Sequence, residues 1–223
     1  MTADLLRAYD DQLRTKAEAI GALDVRHEGP LWLITFALVF ARVGAQLVAA
    51  PLLGAERLGL NPQQIGLALS LSGFAALAAF YPAGWLVDRY SRTAVVVPGG
   101  LGMIGALALF AASGSYPLFL VAAVLLGFGS GLAGPAPAAG LADALPDEDR
   151  TTGIGVYRAI GDVSAALAPV LLGWFADQGG YNVALFAAAA LLFAAVGMFA
   201  WRASADQTAR IAALPSVRDA SDG

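Results

Sequence analysis

A few polar and ionisable side chains stand where an otherwise apolar chain should exclude them. Arg42 lies at the centre of the apolar run 31–53, and Gln46 follows one helical turn later on the same face. A guanidinium held in hydrocarbon costs about 2.5–3.5 kcal/mol on insertion scales, so it must face a water-filled cavity or a partner. In a cavity it could bind an anionic group of a substrate or tune a coupling proton. Against a partner it would form a buried pair. Tyr157, Arg158 and Asp162 make a second set within another apolar run. Arg158 and Asp162 are four residues apart and can neutralise each other on one helix face. An aspartate alone could exchange protons, but one beside an arginine is held ionised. A structural ion pair is therefore the first expectation, and a gating contact the second. The third set is the polar interruption Gly84-Trp85-Leu86-Val87-Asp88-Arg89-Tyr90-Ser91-Arg92-Thr93, between two uncharged runs.

Catalysis by these residues is not expected. A serine protease of the membrane would need Gly-x-Ser-Gly and a membrane histidine. Here Phe128-Gly129-Ser130-Gly131 lacks the first glycine, and the one histidine, His27, precedes the first apolar run. An aspartyl type would need a second mid-membrane acid beside Asp162 and a Gly-x-Gly-Asp motif, which Ala159-Ile160-Gly161-Asp162 does not supply. The lack of cysteine and of clustered histidine gives no basis for a metal site or another cofactor.

The elements that carry these residues follow from composition. Apolar residues make up 58% of the 223 positions, charged residues 13%, and mean hydropathy is +0.68. A soluble chain would carry roughly 25% charged residues. The charges also crowd into both ends and a few short loops, leaving apolar stretches at about 31–53, 62–83, 94–112, 116–142, 151–176 and 181–201. Each approaches or exceeds the ~20 residues that cross ~30 Å of hydrocarbon as a helix. A spanning segment must satisfy its own backbone hydrogen bonds, so helices are the default. The expectation is an all-α membrane protein: a polar N-terminal tail at 1–30, a six-helix bundle at 31–202 and a C-terminal tail at 203–223. Residues 1–30 lack the short apolar core of a cleavable signal peptide. No basic patch suggests nucleic acid as a partner.

With both tails on one face, that face carries Arg7, Arg14, Lys16, Arg26, Arg89, Arg92, Arg150, Arg202, Arg210 and Arg218; the other carries only Arg57. This bias places both termini and the 84–93 turn in the cytoplasm. Trp32, Trp85, Trp174 and Trp201 fall at segment ends, where amphipathic rings prefer to sit. Asn61-Pro62-Gln63-Gln64 offers a helix cap, with proline at the first helical position and a glutamine that can reach back. A shift of 89 residues places Ile65-Gly66 on Ile154-Gly155 and Gly84-Trp85-x-x-Asp88 on Gly173-Trp174-x-x-Asp177. The second and fifth segments run in opposite directions, so the two triplets read as an inverted three-plus-three repeat. Gly127-x-x-x-Gly131, in a fourth segment rich in small residues, permits close helix packing.

The 84–93 turn resembles the signature loop of the major facilitator superfamily, Gly-x-Leu-x-Asp-Arg-x-Gly-Arg-basic. Gly84, Leu86, Asp88, Arg89 and Arg92 match; Ser91 and Thr93 replace a glycine and a basic residue. In that family the loop acts as a cytoplasmic latch. The resemblance implies that Asp88 sits near the start of the fifth helix, and that Asp143 pairs with Arg89 or Arg92. Gly155-x-Tyr157-Arg158-x-x-Gly161-Asp162 is similar to the eleventh helix of drug–proton antiporter-type members. Ser164-x-x-x-Ala168-Pro169-x-x-x-Gly173 resembles a degraded form of their kink motif. The implied fold is half of a twelve-helix transporter, placed as its C-terminal half by the linker-like start. The implied function is secondary active transport of a small solute by alternating access, proton-coupled and efflux-like, in the inner or plasma membrane. Its partners would be the lipid bilayer, a small-molecule substrate, H+ and a second six-helix half, as a separate chain or a homodimer. The alternative is a non-transporting or vestigial helper subunit that associates with other membrane proteins.

Overall fold

The computed structural model describes residues 25–144 and 147–212, with side chains described over 29–141 and 150–205. Six helices in it are long and apolar enough to cross a membrane. The first, α1, runs as Val25–Gly44, widens into a π-helical stretch at Ala45–Ala49, tightens over Ala50–Leu52 and widens again at Leu53–Arg57. Pro51 lies between the two widenings. It has no N–H, and its ring crowds the carbonyl one turn back, so the ladder shifts register instead of closing normally. Then follow α2 (Pro62–Arg89), α3 (Thr93–Ala112), α4 (Tyr116–Ala133, interrupted at Gly134 and resumed as Pro135–Ala144), α5 (Asp147–Gly179) and α6 (Tyr181–Ala212).

The helices outrun the apolar stretches, because nothing in the polar flanks stops them. α1 begins at Val25, and α2 carries on through Asp88 and Arg89. The ten-residue interruption is therefore mostly helix, and only Tyr90, Ser91 and Arg92 form the turn. At the start of α2, Asn61 Oδ1 accepts from the Gln64 amide at 2.9 Å, and Gln64 Oε1 accepts from the Asn61 amide at 3.0 Å. This is the reciprocal cap expected from the sequence. Asn61→Ala should lower stability by about 1 kcal/mol, read as a fall in the thermal unfolding midpoint in detergent. α5 and α6 are joined by Gly180 alone, whose φ of +81° favours glycine.

The packing has the symmetry of an inverted repeat. α1 lies against α5 and α6, α4 lies against α2 and α3, and α3 meets α6. Exchanging α1 with α4, α2 with α5 and α3 with α6 maps this set of interfaces onto itself. The tightest contacts use glycine. A Cβ on Gly127 would overlap the Ser72 carbonyl, and one on Gly131 would overlap that of Ala76, so α4 rides directly on the α2 backbone. Gly129, on the other side of α4, meets α3, where an added Cβ would come within 2.6 Å of Gly99 O. Phe110 and Phe119 fill the space between the opposite ends of α3 and α4, edge to face at 5.2 Å.

Away from the 84–93 turn, the end of α1 is clipped to its neighbours. Arg57 donates to Ala111 O at 2.8 Å, at the end of α3, and to Asn182 Oδ1 at 3.3 Å. Tyr181 donates its hydroxyl to Glu56. A cation over the last carbonyls of α3 also meets the negative end of its dipole.

Candidate functional site

A cavity of about 590 Å³ opens between α1, α2, α4 and α5. From α1 it is lined by Thr35, Leu38, Val39 and Arg42; from α2 by Gly73, Ala76, Leu77 and Phe80. α4 contributes Ser130, Gly131, Gly134, Pro135 and Pro137, and α5 contributes Tyr157. Most of these positions lie between the middle of the spans and the end that carries the 84–93 turn. A second hollow of about 400 Å³ shares Thr35, Val39, Arg42 and Tyr157, and adds Arg158, Gly161, Asp162 and Ala165. Arg42 and Tyr157 thus stand between two spaces that together are bounded by two arginines and one aspartate.

Arg42 is exposed to these spaces, and among the described residues it makes no hydrogen bond or ion pair. Its side chain emerges midway along the span Gly29–Arg57. The cavity is what permits this: water can reach the guanidinium at a depth where lipid could not solvate it. Gln46 takes a different role from the one its spacing suggested. It does not line either space, and its Nε2 donates to Ser72 Oγ at 3.2 Å, tying α1 to α2. Ser72 is buried where Gly127 lets α4 approach, so a hydroxyl oxygen without a donor there would be costly, and Gln46 supplies one.

Arg158 and Asp162 share a helix face and a cavity but do not pair. Both are exposed, and no hydrogen bond or ion pair joins them. In a hydrated space, pairing returns too little to fix two long side chains. Ser164 instead anchors this stretch of α5, donating to Phe36 O of α1 at 2.7 Å. Thr35 and the α2 contributions carry no distinguishing signal in the sequence. Gly73, Ala76, Leu77 and Phe80 recur at the spacing of any apolar helix stripe, and only the position of α4 makes that stripe a wall.

The turn region separates its two arginines. Arg92 lies along α4: a Cβ on Gly140 would meet its Nη1 at 3.4 Å and its Cδ at 3.5 Å. Gly140 is one turn before Asp143, whose side chain lies outside the described residues. Arg89 points elsewhere, with its Cζ 5.9 Å from the centre of the Trp85 ring. Gly84 has open space where a Cβ would stand. Asp88 is exposed and has no hydrogen-bond or ionic partner among the described residues. The side chains at the start of α5, which the resemblance sets beside Asp88, lie outside the described residues.

Residues 31–218 match the model of the Major Facilitator Superfamily. The chain is 33% identical over 142 residues to multidrug resistance protein MdtL of Shigella flexneri serotype 5b, covering 61% of this chain and 36% of the relative. The MdtL of Escherichia coli K12 gives the same identity and coverage. The probable sulfoacetate transporter SauU of Cupriavidus necator is 26% identical over 187 residues, 83% of this chain and 43% of its own length. The chain therefore spans well under half the length of these curated relatives. The family is one of transporters, not of enzymes. With six spanning helices packed as an inverted repeat and a family match over residues 31–218, this multi-pass membrane chain belongs to the Major Facilitator Superfamily.

Proposed function

We propose that this chain forms one half of a secondary active transporter that moves a small solute by alternating access. The observation that carries this reading is Arg42, an unpaired cation at mid-membrane depth that faces a cavity. A solute-sized space with one fixed charge is what a carrier needs and what a purely structural bundle has reason to avoid. Two guanidinium groups against one carboxylate favour a solute bearing an anionic group. That fits the named cargo of the sulfoacetate relative better than the broad label of the multidrug relatives. Tyr157 supplies a neutral hydroxyl beside Arg42, and Asp162 is the acid placed to exchange a coupling proton. Coupling to H+ and an outward direction belong to this proposal, as does the orientation with both termini in the cytoplasm of the plasma membrane.

The other half is proposed from exposure. The membrane windows of α2 and α5 are only 17% buried, against 67% for α1, and α2 presents Phe74, Leu77, Phe80, Tyr81 and Trp85. These two helices flank the cavity mouth, so a second six-helix half or a second copy would cover them and close the path. Asp88 would then meet the partner at the latch, with Arg92 held along α4. The test is reconstitution into liposomes of the chain with and without a six-helix N-terminal half from a relative. Uptake of sulfoacetate driven by an imposed pH gradient is expected only with a completed pair. If the pair forms but sulfoacetate does not move with or without the gradient, the transport reading is lost.

A further inference from the structure

On the flank away from the cavity, a cleft of about 910 Å³ opens between the 90–92 turn, the start of α3 and the end of α6. Its rim is polar, with Arg89, Tyr90, Ser91 and Thr93; its walls are small and apolar, with Ala94, Val97, Pro98, Ala200 and Ala203. The sequence places it at a membrane boundary, since α2 ends at Arg89, α3 starts at Thr93 and the last apolar run gives way to Arg202. Exposed Trp85 and Trp201 lie at the same level, where amphipathic rings settle among headgroups. A polar rim over an apolar trough at that depth matches a phospholipid, whose headgroup and acyl chains change polarity over the same distance.

We propose that this cleft holds an anionic phospholipid, with the Arg89 guanidinium meeting the phosphate. The sign of the charge is set by Arg89, which is exposed and already lies over Trp85. Trp85 in turn stands edge-on to Tyr90, with ring centres 6.2 Å apart. An ammonium headgroup seeking that aromatic face would meet a cation there first, so zwitterionic amine headgroups are disfavoured. Ser91 Oγ accepts from the Ala94 amide at 3.2 Å, which leaves its hydroxyl proton free to donate. Ser204 uses its own proton on Trp201 O. Asp88 is one residue from Arg89 but does not line the cleft. The division of the two turn arginines follows: Arg92 lies against α4, and Arg89 serves the lipid.

The test is native mass spectrometry of the full chain, released from detergent after mixing with phosphatidylglycerol and phosphatidylcholine of matched acyl chains. Phosphatidylglycerol should be retained preferentially. Arg89→Gln should cut its retention about fivefold, the factor for one surface arginine near an anionic headgroup. Ala203→Leu, which fills the trough without changing charge, should also weaken retention, whereas Arg150→Gln removes a charge from the same face and should not. Unchanged unfolding midpoints would separate lost binding from lost folding. Three results would overturn the proposal: equal retention of both lipids, equal losses from Arg89→Gln and Arg150→Gln, or displacement of the lipid by soluble glycerol phosphate. The last would mean that the rim reads phosphate and the trough holds no chain. None of these outcomes depends on whether the chain transports anything.

Discussion

Arg42→Leu is expected to abolish transport by the completed carrier while leaving the isolated bundle at least as stable as the parent. The two halves of that expectation have one cause. Arg42 has no ionic or hydrogen-bonding partner among the described residues, so its removal leaves no orphaned group behind. A leucine would instead remove a mid-span cation whose insertion costs about 2.5–3.5 kcal/mol before cavity water offsets part of it. An anionic solute that had met the guanidinium would lose about 2–5 kcal/mol of interaction, a factor of about thirty to several thousand in affinity. Arg42→Lys keeps the charge but not the planar fork, and should fall between the two. Sulfoacetate flux and the unfolding midpoint, measured on the same preparations, decide the matter. A fall of several kcal/mol in stability would show Arg42 to be a structural ion, and the cavity reading would fail with it.

Gly127→Val should be the most damaging single change to the fold, at about 3 kcal/mol or more. Its Cβ would overlap the carbonyl of Ser72, which is α2 backbone and cannot swing aside as a side-chain tip would. The helices must separate, and the bond from Gln46 to Ser72 goes with them. Gly131 faces Ala76 in the same way one turn on, so the two changes in one chain should not be additive. Gly66→Ala is the matched comparison. It sits in α2 with nothing within 4 Å of its added Cβ, and should raise stability by up to about 1 kcal/mol through helix propensity. Size-exclusion profiles and thermal unfolding in one detergent would read both. A Gly127→Val protein within about 0.5 kcal/mol of the parent would refute the close approach of α4 to α2.

The spanning segments, their number, the Asn61 cap and the burden placed on Arg42 were all legible along the chain. Each rests on local or one-dimensional physics: enough apolar length to cross hydrocarbon, a side chain within reach of its own helix end, and the cost of a charge at a given depth. The inverted repeat was readable too, because two Gly-Trp-x-x-Asp endings recur at one offset. What the linear pattern could not give is which way a side chain turns once two helices meet. Gln46 shares a face with Arg42 by spacing, yet α2 lies close enough on that side to take its amide. Arg158 and Asp162 have the spacing of a pair, yet both open into the hollow beside them without pairing. Arg89 and Arg92 look equivalent in the turn until α4 lies beside one and the cleft opens beside the other. Sequence alone determined the solvent that each segment must live in, because transfer free energy adds up along the chain. Tertiary structure alone decided which polar group met which, because that depends on gaps of an ångström between helices, set by glycines whose partners are distant in sequence.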